Sequence, residues 1–365
     1  VKVPFLDVRS AYTELKSELD GAVLRALESG WYIFGAEVSG FEKAFSEYTG
    51  AAYTLGVGNG LDALRIALMA MDVAEGDEVI VPSNTYIATW LAVTQCGAVP
   101  IPVEPDPNTL NIDPARIEAA ITSRTKVILP VHLYGQAADM APILALAQRH
   151  GLKVLEDAAQ SHGARYQGTR IGAHGDAVAW SFYPGKNLGA FGDAGGITTN
   201  DPVLAERMRT IANYGSKVKY VNEVCGVNSR LDPIHAAALN VKLTRLDAWN
   251  ARRETIADHY RQHLQGSPVS LPSVHRDSTS SWHLFPVFSE ARDALQAHLK
   301  ALGVETLIHY PIPPHRQQAY AFLGYSEGAF PIAEKLAQTQ LSLPIGPHLT
   351  LEQADFVCRS IADFK

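Results

Sequence analysis

The sequence predicts an α/β protein, a mainly parallel sheet with helices on both faces followed by a smaller α+β domain. Three observations carry that expectation. Between Glu47 and about Asn200, short apolar runs of strand length alternate with runs whose apolar residues recur at helical spacing. The chain has 365 residues, 47% of them hydrophobic, enough for one large core and a second, smaller one. From Trp282 onward the pattern changes to a compact α+β unit with helical runs near 290–302, 328–340 and 351–363. The boundary is expected near Leu246, giving a large domain over 1–246 and a small one over 247–365.

In chain order, the strand-like runs are 78–82, 99–103, 125–131, 153–156, 177–182 and 196–199. Helical spacing marks 61–71, 85–95, 113–120 and 139–150 between them. Sheets of this kind bind ligands at strand carboxyl ends, so Ser83, His132, Asp157 and Ser181 are expected to converge. After Asp201-Pro202 a helix runs through Met208. The polar, glycine-containing stretch 213–230 is too long for an ordinary connection and is expected to reach out of its own subunit. Residues 231–264 read as helix.

The chemistry centres on Ser181-Phe-Tyr-Pro-Gly-Lys186-Asn-Leu-Gly189. A lone lysine is ordinarily a solvated charge, but Lys186 follows Pro-Gly and precedes Gly189, Gly192, Gly195 and Gly196, which permit close approach. About thirty residues earlier, Asp157 ends an apolar strand, where a buried carboxylate needs a cationic partner. An amine that bonds an aldehyde and a carboxylate that keeps a pyridine nitrogen protonated are the minimum for a pyridoxal phosphate enzyme. For Asp157 alone, an ion pair or a helix cap explains the position equally. Gln160, one turn on, is expected at the cofactor's phenolic oxygen, and otherwise as a solvated helix-start residue.

Gly56-Val-Gly-Asn-Gly60-Leu61-Asp62 opens a helix and suits a phosphate, although the same glycines fit a plain strand-to-helix turn. The spacing lacks the last glycine of the dinucleotide fingerprint, and no Gly-Lys-Ser/Thr follows. Ser181 is expected to add a hydroxyl to that phosphate. Tyr86 is placed either to stack on the ring or to pack in the core. Asn228 and Arg230 read as polar loop residues or as phosphate contacts across a dimer interface. His309 and His315, in Ile308-His-Tyr-Pro-Ile-Pro-Pro-His315, are expected to meet substrate hydroxyls, because their spacing and prolines do not suit a metal.

These segments together, with Glu156-Asp-Ala-Ala-Gln-Ser-His-Gly163, Gly-x-Asn-x-Arg-Leu and His-Tyr-Pro, resemble the DegT-type nucleotide-sugar aminotransferases over essentially the whole chain. The resemblance implies the aspartate-aminotransferase fold of type I with a seven-stranded sheet, and pyridoxal 5'-phosphate as cofactor. It implies Lys186 bonded to the cofactor aldehyde, Asp157 at the pyridine nitrogen, Gln160 at the phenolic oxygen and Tyr86 on the ring. The phosphate would meet the amides of Gly60 and Leu61, the Ser181 hydroxyl and Asn228 of a second subunit in a homodimer with shared sites. Family members that dehydrate sugars carry histidine in place of the lysine, and this chain retains Lys186.

Within the family, the run 213–222 and the His-Tyr-Pro-Ile-Pro-Pro-His segment look most like enzymes that aminate the 3-keto group of dTDP-6-deoxyhexoses with L-glutamate as donor. By that likeness Lys219 and Tyr220 contact the diphosphate, and Tyr183, His309 and Tyr310 line the hexose. The alternatives are amination at C4, a dehydratase keeping the same cofactor, and a non-catalytic nucleotide-sugar sensor.

Composition narrows the setting. A formal charge of −7 gives no basic excess for nucleic acid or an anionic membrane. Cys96, Cys225 and Cys358 are few and far apart, which argues against disulfides or a cysteine zinc site. No apolar stretch approaches the roughly 18 residues that span a bilayer. A cytoplasmic enzyme is the expectation.

Overall fold

The computed structural model describes residues 2–364. Seven strands form its central sheet: β1 Tyr53–Val57, β2 Glu78–Pro82, β3 Val99–Val103, β4 Thr125–Ile128, β5 Lys153–Asp157, β6 Ala177–Ser181 and β7 Gly195–Thr199. Their spatial order is β1-β7-β6-β5-β4-β2-β3. Only β7 runs against the others, pairing antiparallel with both β1 and β6. Every residue of β2 is buried, as expected of a strand covered on both faces. The edge strand β3 carries Pro100 and Pro102, which cannot donate to a neighbour and are tolerated there for that reason.

Apolar clusters pack on the sheet and beyond it. One joins Leu64, Leu68, Trp90, Val93, Met208 and Ile211, and another joins Phe41, Phe45, Ile143, Trp180, Phe182 and Leu239. A third gathers Ile256, Tyr260, Phe285, Val287, Leu299, Leu341 and Val357 around the antiparallel pair Phe285–Phe288 and Gln340–Leu343. Val3 belongs to this third cluster and pairs in parallel with Val304.

The structure departs from the sequence expectations at particular places. The edge strand β1 was not among the expected runs. The helix expected over 231–264 is two helices, Pro233–Leu243 and Leu246–His263. Between them Thr244 turns its hydroxyl back to the Val241 carbonyl at 2.8 Å, and Arg245 N–H bonds the Lys242 carbonyl at 2.9 Å, closing a tight turn without glycine or proline. The run expected over 113–120 is the short helix Pro114–Ile117 and a 3-10 turn. Stretch 213–230 holds a small hairpin, Ser216–Val218 against Val221–Asn222, with Val218, Tyr220 and Val221 exposed.

Candidate active site

A cavity of about 1380 Å³ opens over the carboxyl ends of β2, β5 and β6, and His283, Leu307, His309, Tyr310 and Ile345 also line it. Gly60, Leu61, Tyr86, Asp157, Gln160 and Ser181 line it. Tyr183, Lys186, His309 and Tyr310 do as well. Asn228, Arg230, Lys219, Tyr220 and His315 do not.

Lys186 is aimed by a turn in which its N–H bonds the Tyr183 carbonyl at 2.8 Å, as Pro184-Gly185 allows. The loop after it is pinned from below. Asn187 Nδ2 donates to Asn250 Oδ1 at 2.9 Å and to the Ser281 carbonyl at 2.8 Å, and Lys242 Nζ donates to the Gly189 carbonyl at 2.6 Å. Burial pulls the Lys186 ammonium down to about 8, with Asp157 opposing.

Asp157 accepts one bond on each oxygen, from Ala159 N–H at 3.1 Å and from Thr89 Oγ1 at 2.9 Å. Among the described residues no cation lies within ion-pairing distance of it. Burial raises its pKa, and the two hydrogen bonds and Lys186 oppose the rise. A carboxylate so placed fits a cationic ring nitrogen, which would reverse that rise.

Asn59 caps helix Gly60–Ala70 by accepting the Asp62 N–H at 2.8 Å. The amides of Gly60 and Leu61 are thereby left at the cavity edge as the helix's first free donors. A Cβ on Gly60 would stand 2.7 Å from Ser181 Cβ, so only glycine lets that helix end and that hydroxyl share one cradle. These features fit a phosphate at the Gly60–Ser181 cradle and a pyridinium at Asp157, both on the one cavity.

Gln160 is already engaged: its Oε1 accepts Tyr134 N–H at 2.6 Å and its Nε2 donates to the Tyr310 hydroxyl at 2.9 Å. Tyr310 lies beside Tyr86, ring centroids 5.2 Å apart. His309 faces the cavity with Nδ1 on Ser342 Oγ at 2.9 Å, and burial, then Lys186, lowers its pKa to about 4.

His315 is a correction. Its ring is enclosed, with Nε2 on Glu334 at 2.9 Å and its edge against Phe330, so it ties its own turn to helix Pro331–Thr339 and does not line the cavity. Ser83 and His132 are corrections of the same kind. Ser83 donates to Glu104 at 2.9 Å, and His132 bonds Glu156 at 2.8 Å, both away from the cavity. Asn228 is exposed, Arg230 sits with its guanidinium 5.4 Å from the Phe34 ring and 5.2 Å from the Tyr214 ring, and Lys219 lies over the exposed Tyr220.

The sequence reading missed Thr89, Asn59 and His283. Asn59 carried a signal, an N-cap residue before an apolar helix. His283, whose Nδ1 meets Asn187 Oδ1 at 3.1 Å, carried none, because the two residues meet only through the fold.

The lowered Lys186 pKa sets a testable pH dependence. Only the neutral amine attacks an aldehyde, and its fraction grows as pH rises. Capture of pyridoxal phosphate by the apoprotein should therefore accelerate with pH through a midpoint near 8 and then level, instead of climbing toward the 10.5 of a free lysine. Stopped-flow absorbance against pH measures it.

Comparison with known proteins gives a consistent picture. A family model described as the DegT/DnrJ/EryC1/StrS aminotransferase family matches residues 13–362. The erythromycin biosynthesis sensory transduction protein EryC1 of Saccharopolyspora erythraea is 56% identical over 98% of this chain and 98% of its own. The dTDP-3-amino-3,4,6-trideoxy-alpha-D-glucose transaminase of Streptomyces venezuelae is 53% identical over 97% of this chain and 93% of its own. The dTDP-3-amino-3,6-dideoxy-alpha-D-galactopyranose transaminase of Aneurinibacillus thermoaerophilus is 52% identical over 98% of both. Among solved structures, S. venezuelae DesV in complex with a ketimine intermediate superposes with a TM-score of 0.98 at 52% identity, covering 99% of this chain and 98% of that one. NtdA of Bacillus subtilis with bound cofactor PMP gives 0.92 at 35% identity, covering 99% of this chain and 84% of that one.

Proposed function

This chain belongs to the DegT/DnrJ/EryC1/StrS aminotransferase family, and on that premise we propose that it moves an amino group from L-glutamate to C3 of a dTDP-3-keto-6-deoxyhexose. The products are a dTDP-3-amino-3,6-dideoxyhexose and 2-oxoglutarate. The observation that carries the reading is one cavity lined by Lys186, by the buried Asp157 with no cation in ion-pairing reach, and by the glycine-cradled helix end at Gly60.

When bound, pyridoxal phosphate supplies an aldehyde carbon for the amino group and a ring that draws off negative charge. The chain does the rest. Asp157 holds positive charge on the ring nitrogen, and Tyr86 covers the ring's face. Amides of Gly60 and Leu61, with the Ser181 hydroxyl, anchor the phosphate. Gln160 is assigned to the phenolic oxygen, which requires its Nε2 to share with Tyr310. Lys186 Nζ takes a proton from the donor's α-carbon in one half-reaction and returns one at the sugar in the other; tethered beside both carbons, it acts at high effective concentration. Tyr183, His309 and Tyr310 line the hexose.

We assign Asn228, Arg230, Lys219 and Tyr220 to the cavity of a second copy in a homodimer. Trp31, Tyr32, Ile33 and Phe34 form an exposed apolar run, and Arg230 joins it to the hairpin base through Phe34 and Tyr214. Sedimentation should return twice the chain mass. No helix among the described residues is long and apolar enough to cross a membrane, and the free Cys96, Cys225 and Cys358 fit a reducing cytoplasm.

The relative named as a sensory transduction protein favours a second reading, binding without turnover. Half-reactions separate the two. Holoenzyme with glutamate alone should release one equivalent of 2-oxoglutarate, and later addition of the 3-keto sugar should yield the 3-amino product. Absence of 2-oxoglutarate would favour the sensor or dehydratase, and an amine at C4 would overturn the regiochemistry.

A further inference from the structure

We propose that Thr89, backed by Thr85, is a positioning residue that orients the Asp157 carboxylate toward the ring nitrogen and keeps it ionised. The inference rests on the reading above and deepens it.

Thr89 Oγ1 lies 2.9 Å from Asp157 Oδ2 and 3.0 Å from Thr85 Oγ1, and all three side chains are buried. An ionised carboxylate can only accept, so the Thr89 proton must go to Asp157. The single hydroxyl proton is then spent, and Thr85 must be the donor to Thr89. Direction along the chain is forced, from Thr85 through Thr89 to Asp157, and each bond strengthens the next. Because Ala159 N–H holds the other oxygen at 3.1 Å, the carboxylate is fixed at both corners and its remaining lone pairs are left for the cavity.

Placement on the helix adds to this. Thr89 stands in the first turn of helix Ile87–Gln95, three residues after the N-cap Tyr86, whose carbonyl accepts the Thr89 N–H at 3.3 Å. Residues three apart share a helix face. One turn therefore presents an aromatic ring to the cofactor's face and a hydroxyl to the carboxylate at its nitrogen, and the helix's positive end favours the anion. Other titratable groups close enough to act on the Asp157 charge are Lys186, Tyr310 and, through the segment after β4, His132, whose ring is turned to Glu156.

The test uses holoenzyme carrying Thr89→Val, Thr89→Ser or Thr85→Val. Thr89→Val, the same size without the hydroxyl, should lower kcat about 10- to 100-fold with KM little changed, as loss of a hydrogen bond to a charge implies. It should also move the pH midpoint of the cofactor's visible absorption by about one unit. Thr89→Ser should recover kcat to within about threefold, and Thr85→Val should show a smaller loss in the same direction. A merely structural role would lower Tm in Thr89→Val without moving the midpoint. The proposal falls if Thr89→Val keeps both kcat and midpoint, or if serine fails to rescue; should Thr89→Val not fold, an unchanged midpoint in Thr85→Val would sink it. The spectral titration needs no sugar, so an error in the substrate assignment leaves this readout intact, whereas a wild type that takes up no cofactor overturns both.

Discussion

Lys186→Ala is expected to abolish amino transfer, with turnover at least about 10⁴-fold below the wild type, because one side chain both bonds the cofactor and carries the proton. The fold should survive. Lys186 Nζ has no hydrogen-bonded partner among the described side chains, and burial already disfavours its charge, so its removal breaks no hydrogen bond and costs Asp157 only a charge that partly offsets its burial. Borohydride should fix the cofactor to the wild type through Lys186 and leave the variant unlabelled; peptide mapping reads the result. Normal steady-state turnover by the variant, or label on another lysine, would reject the assignment.

Asp157→Asn is expected to cost about 10²–10³-fold in kcat, the scale seen when an electrostatic partner of developing charge is lost. The substitution preserves shape: the amide oxygen still accepts from Ala159 N–H, and Thr89 can turn its hydroxyl to accept from the new amide nitrogen. What disappears is the negative charge opposite the ring nitrogen. Because the free carboxylate is held at a desolvation cost, the apoprotein should melt no lower than the wild type, while the rise in Tm on adding pyridoxal phosphate should shrink. An undiminished kcat would remove Asp157 from the site.

The parallel part of the sheet was legible because β2, β3 and β5 are apolar runs bounded by turn residues, and their expected limits fall within one residue of those observed. Tyr53–Val57 escaped notice since Gly56 weakens the pattern; the glycine is demanded by Leu231, whose Cβ would lie 2.6 Å from a Cβ there, a contact between residues far apart in sequence. In the same way the break between Leu243 and Leu246, where Arg245 N–H turns back to the Lys242 carbonyl, leaves no mark in composition. The lysine loop, the aspartate strand end and the glycine-cradled helix were readable because each is local. Thr89 and His283 were not, because one matters through Asp157 and the other through Asn187, partners that only the fold supplies. His315 misled for the converse reason: its proline-rich setting looks like a loop over a site, while Glu334 draws the ring inward.

The pairing of Val3 with Val304 has a consequence for biosynthesis. During synthesis the segment around Val3 has no resting place until roughly three hundred further residues have been made, and Phe5 and Leu6, which follow it, border the cavity. Sealing this corner of the cavity is therefore a late event of maturation.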